Sequence, residues 1–147
     1  MIKYIITTII LTVTNFYKLN NIKYNFNNYR SLELIKMAHT KLSLENILYY
    51  LEKYKIKHKE IVLKQIILET GNLKSNVCIN KNNLFGLYNG KRYLVFEHWS
   101  ESILCYKKIQ NKYKGNNYYE FLKKYKYSED KNYINKLKKI NINNFKK

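Results

Sequence analysis

A chain of 147 residues has room for one domain with a modest core and none for a second of similar size. Apolar residues make up 46%, too many for a disordered chain, while Lys and Arg exceed Asp and Glu by 28 − 10 = +18. That balance points to polyanionic partners (nucleic acid, anionic lipid, acidic envelope polymers), or else only to a Lys-, Asn-, Ile- and Tyr-rich composition whose charge is solvated without a specific role. With four glycines, a glycine-rich phosphate loop is excluded. His39, His58 and His98 show no HxxxH spacing and the cysteines no CxxC spacing, so neither a metal site nor any other cofactor is expected.

Met1-Ile2-Lys3 followed by the apolar run from Tyr4 to Val13 reads as a signal peptide or membrane-anchor leader. It is too short for an ordinary spanning helix, and a buried helix or strand is the alternative reading. Residues 15–28, rich in Asn, Lys and Tyr without periodicity, read as a linker, so residues 1–40 are expected to be leader plus linker and 41–147 the folded unit. Export implies a secreted, periplasmic or envelope-anchored protein. Cys78 and Cys105 would then pair, or remain two buried thiols.

Within the folded unit, Leu44, Ile47, Leu48 and Leu51 predict a helix capped by Ser43. The next helix, Lys59 to Thr70, is apolar nearly all round and therefore central, with Gly71 as its left-handed C-cap. After an Asn-rich loop, Leu84 to Leu87 and Tyr93 to Phe96 flank Asn89-Gly90 and predict a short β-hairpin. Ser100 should cap a helix carrying Ile103, Tyr106, Ile109 and Tyr113. Asn117 with Glu120 should open another, running to about Lys126. Ser128 should cap the last, with Tyr133, Leu137 and Ile140 inside. The expectation is an α+β domain, mainly helical with one short β-hairpin.

Only ten acids are present, which narrows any carboxylate chemistry. Glu69 shares a helix face with Val62 and Ile66, so its stem should leave the core side. Apolar surroundings and the partial negative charge at a helix C-terminus both disfavour its ionised form. A carboxyl group held neutral near pH 7 can protonate a leaving oxygen, which is the task of a general acid in glycosidic cleavage. A helix-end glutamate pointing to water is the alternative.

Glu69-Thr70-Gly71 behind an apolar helix, followed by Asn82-Asn83-Leu84-Phe85-Gly86, resembles the bacterial glucosaminidase domain, glycoside hydrolase family 73. Phe96 to Ile103, Tyr119 to Leu122 and Tyr127 to Tyr133 resemble further family segments in the same order, so the likeness spans roughly Leu42 to Ile140. It implies a lysozyme-like fold and an endo-β-N-acetylglucosaminidase of autolysin type, which cuts peptidoglycan between N-acetylglucosamine and N-acetylmuramic acid. By the same resemblance Glu69 is the catalytic acid, Asn83 and Phe85 belong to a turn lining the cleft, and Tyr127 faces the site. A turn-forming Asn and two core aromatics are the other reading of those three.

Many members carry a second acid on the hairpin lobe, and none lies between Gly86 and Phe96. Glu97 or Glu101 would have to serve, or the substrate's own acetamido group would attack instead. Trp99, Tyr88 and Tyr93 are candidates for stacking on sugar rings, although single aromatics near a hairpin are more often packing residues. Three rival functions stay open: a lytic transglycosylase on the same substrate, a wall-binding relative without turnover, and a basic nucleic-acid module built on the Lys- and Tyr-rich stretch Tyr106 to Tyr127. The absence of a groove-reading motif, together with the leader, makes peptidoglycan the expected partner rather than nucleic acid. Membrane attachment would occur through the N-terminal segment.

Overall fold

The computed structural model describes residue 18 and residues 40–143. Backbone proximity divides the chain into Met1–Thr40 and Lys41–Lys147. The expected leader, its membrane attachment and the linker fall outside the described residues. Among the described residues no helix is long and apolar enough to cross a membrane.

Six helices make up the described fold: α1 Leu44–Lys53, α2 Lys59–Thr70, α3 Asn76–Lys81, α4 Trp99–Gln110, α5 Tyr118–Lys124 and α6 Tyr133–Lys139. Helix α2 is central and packs against α1 and α6, while α1 also meets α4. Its Val62, Leu63 and Ile66 are fully buried, as are Ile47 and Leu51 of α1, Ile103 of α4 and Leu137 of α6. Ser43 caps α1 by accepting from the Asn46 amide, and Gly71 ends α2 at φ 55°, ψ 50°. Both caps match the sequence expectation.

Three boundaries differ from it. Helix α4 begins at Trp99 because His98 Nδ1 accepts from the Ser100 amide, which makes His98 the cap and leaves Ser100 buried in the first turn. Asn117 does cap α5, accepting from the Tyr119 and Glu120 amides, but that helix stops at Lys124. Helix α6 starts at Tyr133 rather than beside Ser128. The Ser128 hydroxyl accepts from the Asp130 amide and Asp130 from the Asn132 amide, so local side-chain turns consume the backbone donors that a helix start would use. The Asn-rich stretch also holds a helix, α3, capped by Ser75.

The expected β-hairpin does not form, and the fold is mainly helical with no sheet among the described residues. The chain does reverse there, but only one antiparallel bridge is made, Tyr88 to Tyr93. A type I′ turn needs positive φ at both central residues. Gly90 has it (φ 91°) and Asn89 does not. Instead the Asn89 side chain accepts from the Lys91 and Arg92 amides. Beyond the bridge, the Asn83 side chain occupies the Leu87 amide and the Leu87 and Leu94 carbonyls, and the Phe96 amide donates to Lys81. The Leu94 amide still donates to the Leu87 carbonyl, but the Leu87 amide and the Leu94 carbonyl that would extend the pairing are taken.

Candidate active site

Glu69 lies in the last turn of α2, and the chain after it is tied down by Thr70. The buried Thr70 hydroxyl donates to the Ile66 carbonyl and accepts from the Leu73 amide, while the Thr70 carbonyl takes the Lys74 and Ser75 amides. This knot holds the end of α2 still while three successive residues, Gly71, Asn72 and Leu73, turn with positive φ.

The Glu69 side chain is half-buried on the wall of an open cavity of about 270 Å³. Phe85, Gly86, Leu87 and Tyr88 line one side, and Tyr125 to Ser128 line another. The Tyr133 hydroxyl of α6 donates to Glu69 Oε1 at 2.8 Å. The other oxygen, Oε2, lies toward Gly86, 3.8 Å from where a Cβ on that residue would sit. Burial raises the carboxyl above its ordinary value of 4.5, and the Tyr133 hydrogen bond opposes that rise by favouring the anion.

Asn83 is 1% exposed and points inward. Its amide donates to the Leu87 and Leu94 carbonyls, and its oxygen accepts from the Leu87 and Phe85 amides. It therefore shapes the turn that carries Phe85 and Gly86 and has no group left for a ligand. Phe85 lines the cavity with its ring stacked on Tyr106, centroids 4.2 Å apart. Tyr127 lies on the facing wall and donates to the Phe85 carbonyl at 3.4 Å, closing the cavity across its floor. Burial pushes its hydroxyl well above the usual phenol range.

Besides Asn83, three expected site residues do not line the cavity. Trp99 is 3% exposed and packs edge-on against Tyr50 of α1 at 5.1 Å, so it offers no face to a sugar. The helix period explains this, because its position at the first turn of α4 faces α1. Glu97 is exposed, and Glu101 accepts from the Glu97 amide in the first turn of α4, where the helix dipole favours it. Among the described residues Glu69 is the one carboxylate on the cavity wall. Cys78 and Cys105 are both free thiols.

Sequence reasoning missed Gln65 and the role of Tyr133. Gln65 is wholly buried in α2, and its Nε2 donates to the Tyr133 hydroxyl at 3.3 Å. The signal was a polar residue one turn before Glu69, between the apolar Leu63 and Ile66 of the buried helix. Tyr88, by contrast, does reach the cavity. It lines the cavity, is 56% exposed, and makes an edge contact with Tyr93 at 5.4 Å.

A single carboxyl whose pKa is raised by burial, on the wall of an open cavity rimmed by tyrosines and carried at the end of the central helix of a small helical fold, fits the class of glycoside hydrolases. The family can be stated as well: the glucosaminidase family model, described as mannosyl-glycoprotein endo-beta-N-acetylglucosaminidase, matches residues 44–146, and the chain belongs to that family. No curated protein and no solved structure gives a significant match.

Proposed function

We propose that this protein is an endo-β-N-acetylglucosaminidase acting on peptidoglycan, with Glu69 as the general acid that protonates the glycosidic oxygen. The observation that carries the reading is a half-buried carboxyl, raised by burial, beside an open cavity in a chain of the glucosaminidase family. An acid of this kind keeps its proton closer to neutral pH than an exposed glutamate does, and can pass it to a departing sugar.

Because Glu97 and Glu101 lie off the cavity wall, the reading that fits best has the substrate's 2-acetamido oxygen attack the anomeric carbon as the bond to the leaving sugar breaks. Water then opens the cyclic intermediate, with Glu69, now ionised, taking its proton. Tyr88, exposed at the rim and backed by Tyr93, supports a sugar ring by stacking. Phe85 and Tyr127 shape the floor, and Asn83 acts behind it by holding the turn.

The net charge of +18 suits an acidic wall, and the apolar run Tyr4 to Val13 supports export to the envelope with residues 41–147 as the catalytic unit. The test is a digest of purified peptidoglycan with the new ends identified by mass spectrometry after borohydride reduction, alongside a high-mannose glycoprotein. The proposal expects reduced N-acetylglucosamine ends from peptidoglycan and little release from the glycoprotein. Anhydro-muramic ends would assign a lytic transglycosylase instead, and intact strands with retained wall binding would assign a binding module.

A further inference from the structure

A run of buried hydrogen bonds leads away from Glu69 through the core, and its direction is fixed by counting hydrogens. At the far end, Gln110 is locked by the backbone of Lys57: its Nε2 donates to the Lys57 carbonyl and its Oε1 accepts from the Lys57 amide, each at 2.7 Å. The second Nε2 hydrogen must then go to the Tyr118 hydroxyl, at 3.0 Å. Tyr106 spends its only hydrogen on Gln65 Oε1, at 2.6 Å. The contact between the Tyr106 and Tyr118 hydroxyls, also 2.6 Å, can therefore be made only with Tyr118 as donor.

The Gln65 amide orientation follows from its two bond lengths. The 2.6 Å contact suits O–H···O and the 3.3 Å contact to Tyr133 suits N–H···O. Each member is thus a donor toward the next, from Gln110 through Tyr118, Tyr106, Gln65 and Tyr133 to Glu69. Gln65 and Glu69 are four residues apart on α2, so the Tyr133 hydroxyl, reaching in from α6, spans both.

The consequence falls on the Tyr133 hydroxyl. Its oxygen accepts from Gln65, so its hydrogen is committed to Glu69 Oε1. An oxygen already accepting that hydrogen is a poor place for the carboxyl's own proton, which is left to Oε2, on the Gly86 side of the cavity. We propose that Gln65 is a positioning residue of the glycosidase reaction: by making Tyr133 a donor to Oε1, it confines the acid proton of Glu69 to Oε2. The inference rests on the reading of Glu69 as general acid.

Titratable groups facing Glu69 are Tyr133 from α6, Tyr125, Lys126 and Tyr127 from the segment after α5, and Tyr88 from the chain reversal. Among the described residues Lys126 is the one cation on the cavity wall. Of these only Tyr133 is hydrogen-bonded to Gln65, so a change at Gln65 reaches Glu69 through Tyr133. Gln65→Met keeps the length of the side chain but frees the Tyr133 oxygen to accept from a proton on Oε1. The neutral acid gains a partner, and the proton spends time on the wrong oxygen.

The experiment measures kcat and KM against pH on soluble peptidoglycan fragments, together with the melting temperature, for wild type, Gln65→Met and Tyr106→Phe. The second variant removes the donor to Gln65 Oε1 while keeping the ring stacked on Phe85. The expected result is a kcat lowered about tenfold with KM within about twofold, and a basic limb of the pH profile moved to higher pH. Either variant alone suffices if the other folds poorly. A basic limb at its wild-type position in a folded variant would overturn the proposal, because loss of packing alone lowers stability without moving that limb. Glu69→Gln separates the two readings: activity retained there removes the general acid, whereas an inactive Glu69→Gln beside a wild-type-like Gln65→Met removes only the relay.

Discussion

Glu69 sits between two opposed influences, burial that favours its protonated form and a Tyr133 hydrogen bond that favours the anion, and burial is the larger. The linkage sign follows. A carboxyl whose folded-state pKa lies above its unfolded value binds its proton more tightly when folded, so its contribution to stability is full below the unfolded pKa and is lost as pH rises through the folded one. Glu69→Gln removes that dependence. At neutral pH the variant is expected to melt at or above the wild-type temperature, and the difference between them should shrink as pH falls toward 4; calorimetry from pH 4 to 7.5 measures it. A variant less stable than wild type at pH 7 would show that the carboxylate is favourably paired there. Gly86 offers a second reading of the same site. Both Gly71 and Gly86 have φ near +60° (55° and 60°), but an added Cβ meets nothing within 4 Å at Gly71 and lies 3.8 Å from Glu69 Oε2 at Gly86. Each Gly→Ala change should cost about 1–2 kcal/mol of backbone strain, seen as similar losses in melting temperature. Only Gly86→Ala should also lower kcat, since only it places a methyl group beside the acid.

At the scale of elements, the turn after α3 owes its form to one side chain. Asn83→Ala would leave the Leu94 carbonyl and the Leu87 amide unpaired in a partly buried place, and the Leu87 carbonyl with the Leu94 amide alone. The expected cost is about 2–4 kcal/mol, a fall in melting temperature of about 10–20 °C for a domain of this size. Differential scanning fluorimetry checks it, and a fall under about 3 °C would mean that water replaces those bonds. The same side chain shows where sequence reading stops. Helical period and caps made α1 and α2 legible, because Ser43, Gly71 and the apolar spacing act within a few residues of themselves. The Asn89-Gly90 pair pointed to a hairpin, yet a ladder depends on which groups are already spoken for, and Asn83 had claimed them from outside the local window. Trp99 went astray for a related reason: an aromatic beside a cleft motif and one facing α1 look alike until the helix is placed. The placement of Glu69, at the end of the buried helix and half-buried, was legible from its position in the sequence. The Gln65 relay was not, because its partners lie 41 and 68 residues away along the chain.

For the whole molecule, the excess of positive charge acts at a range set by salt, and the chemistry proposed at Glu69 does not share that dependence. Raising ionic strength from about 0.05 M to about 0.5 M should slow hydrolysis of intact walls bearing acidic polymers at least fivefold, by weakening electrostatic capture. Turnover of short, neutral N-acetylglucosamine-containing oligomers should change by less than about twofold. Equal salt dependence on both substrates would mean that the charge is a feature of composition alone. Placing the acid on the central helix, tied to α6 by Tyr133 and fronted by the Gly86 turn, makes the reaction depend on packing that spans most of the described fold. The most direct measurement is the initial rate of reducing-end release from peptidoglycan by wild type and Glu69→Gln at equal concentration, with both confirmed folded by circular dichroism. A rate lowered at least about a hundredfold, the scale expected for loss of a general acid, is the predicted result. A folded Glu69→Gln protein that still works within about tenfold of wild type would contradict it.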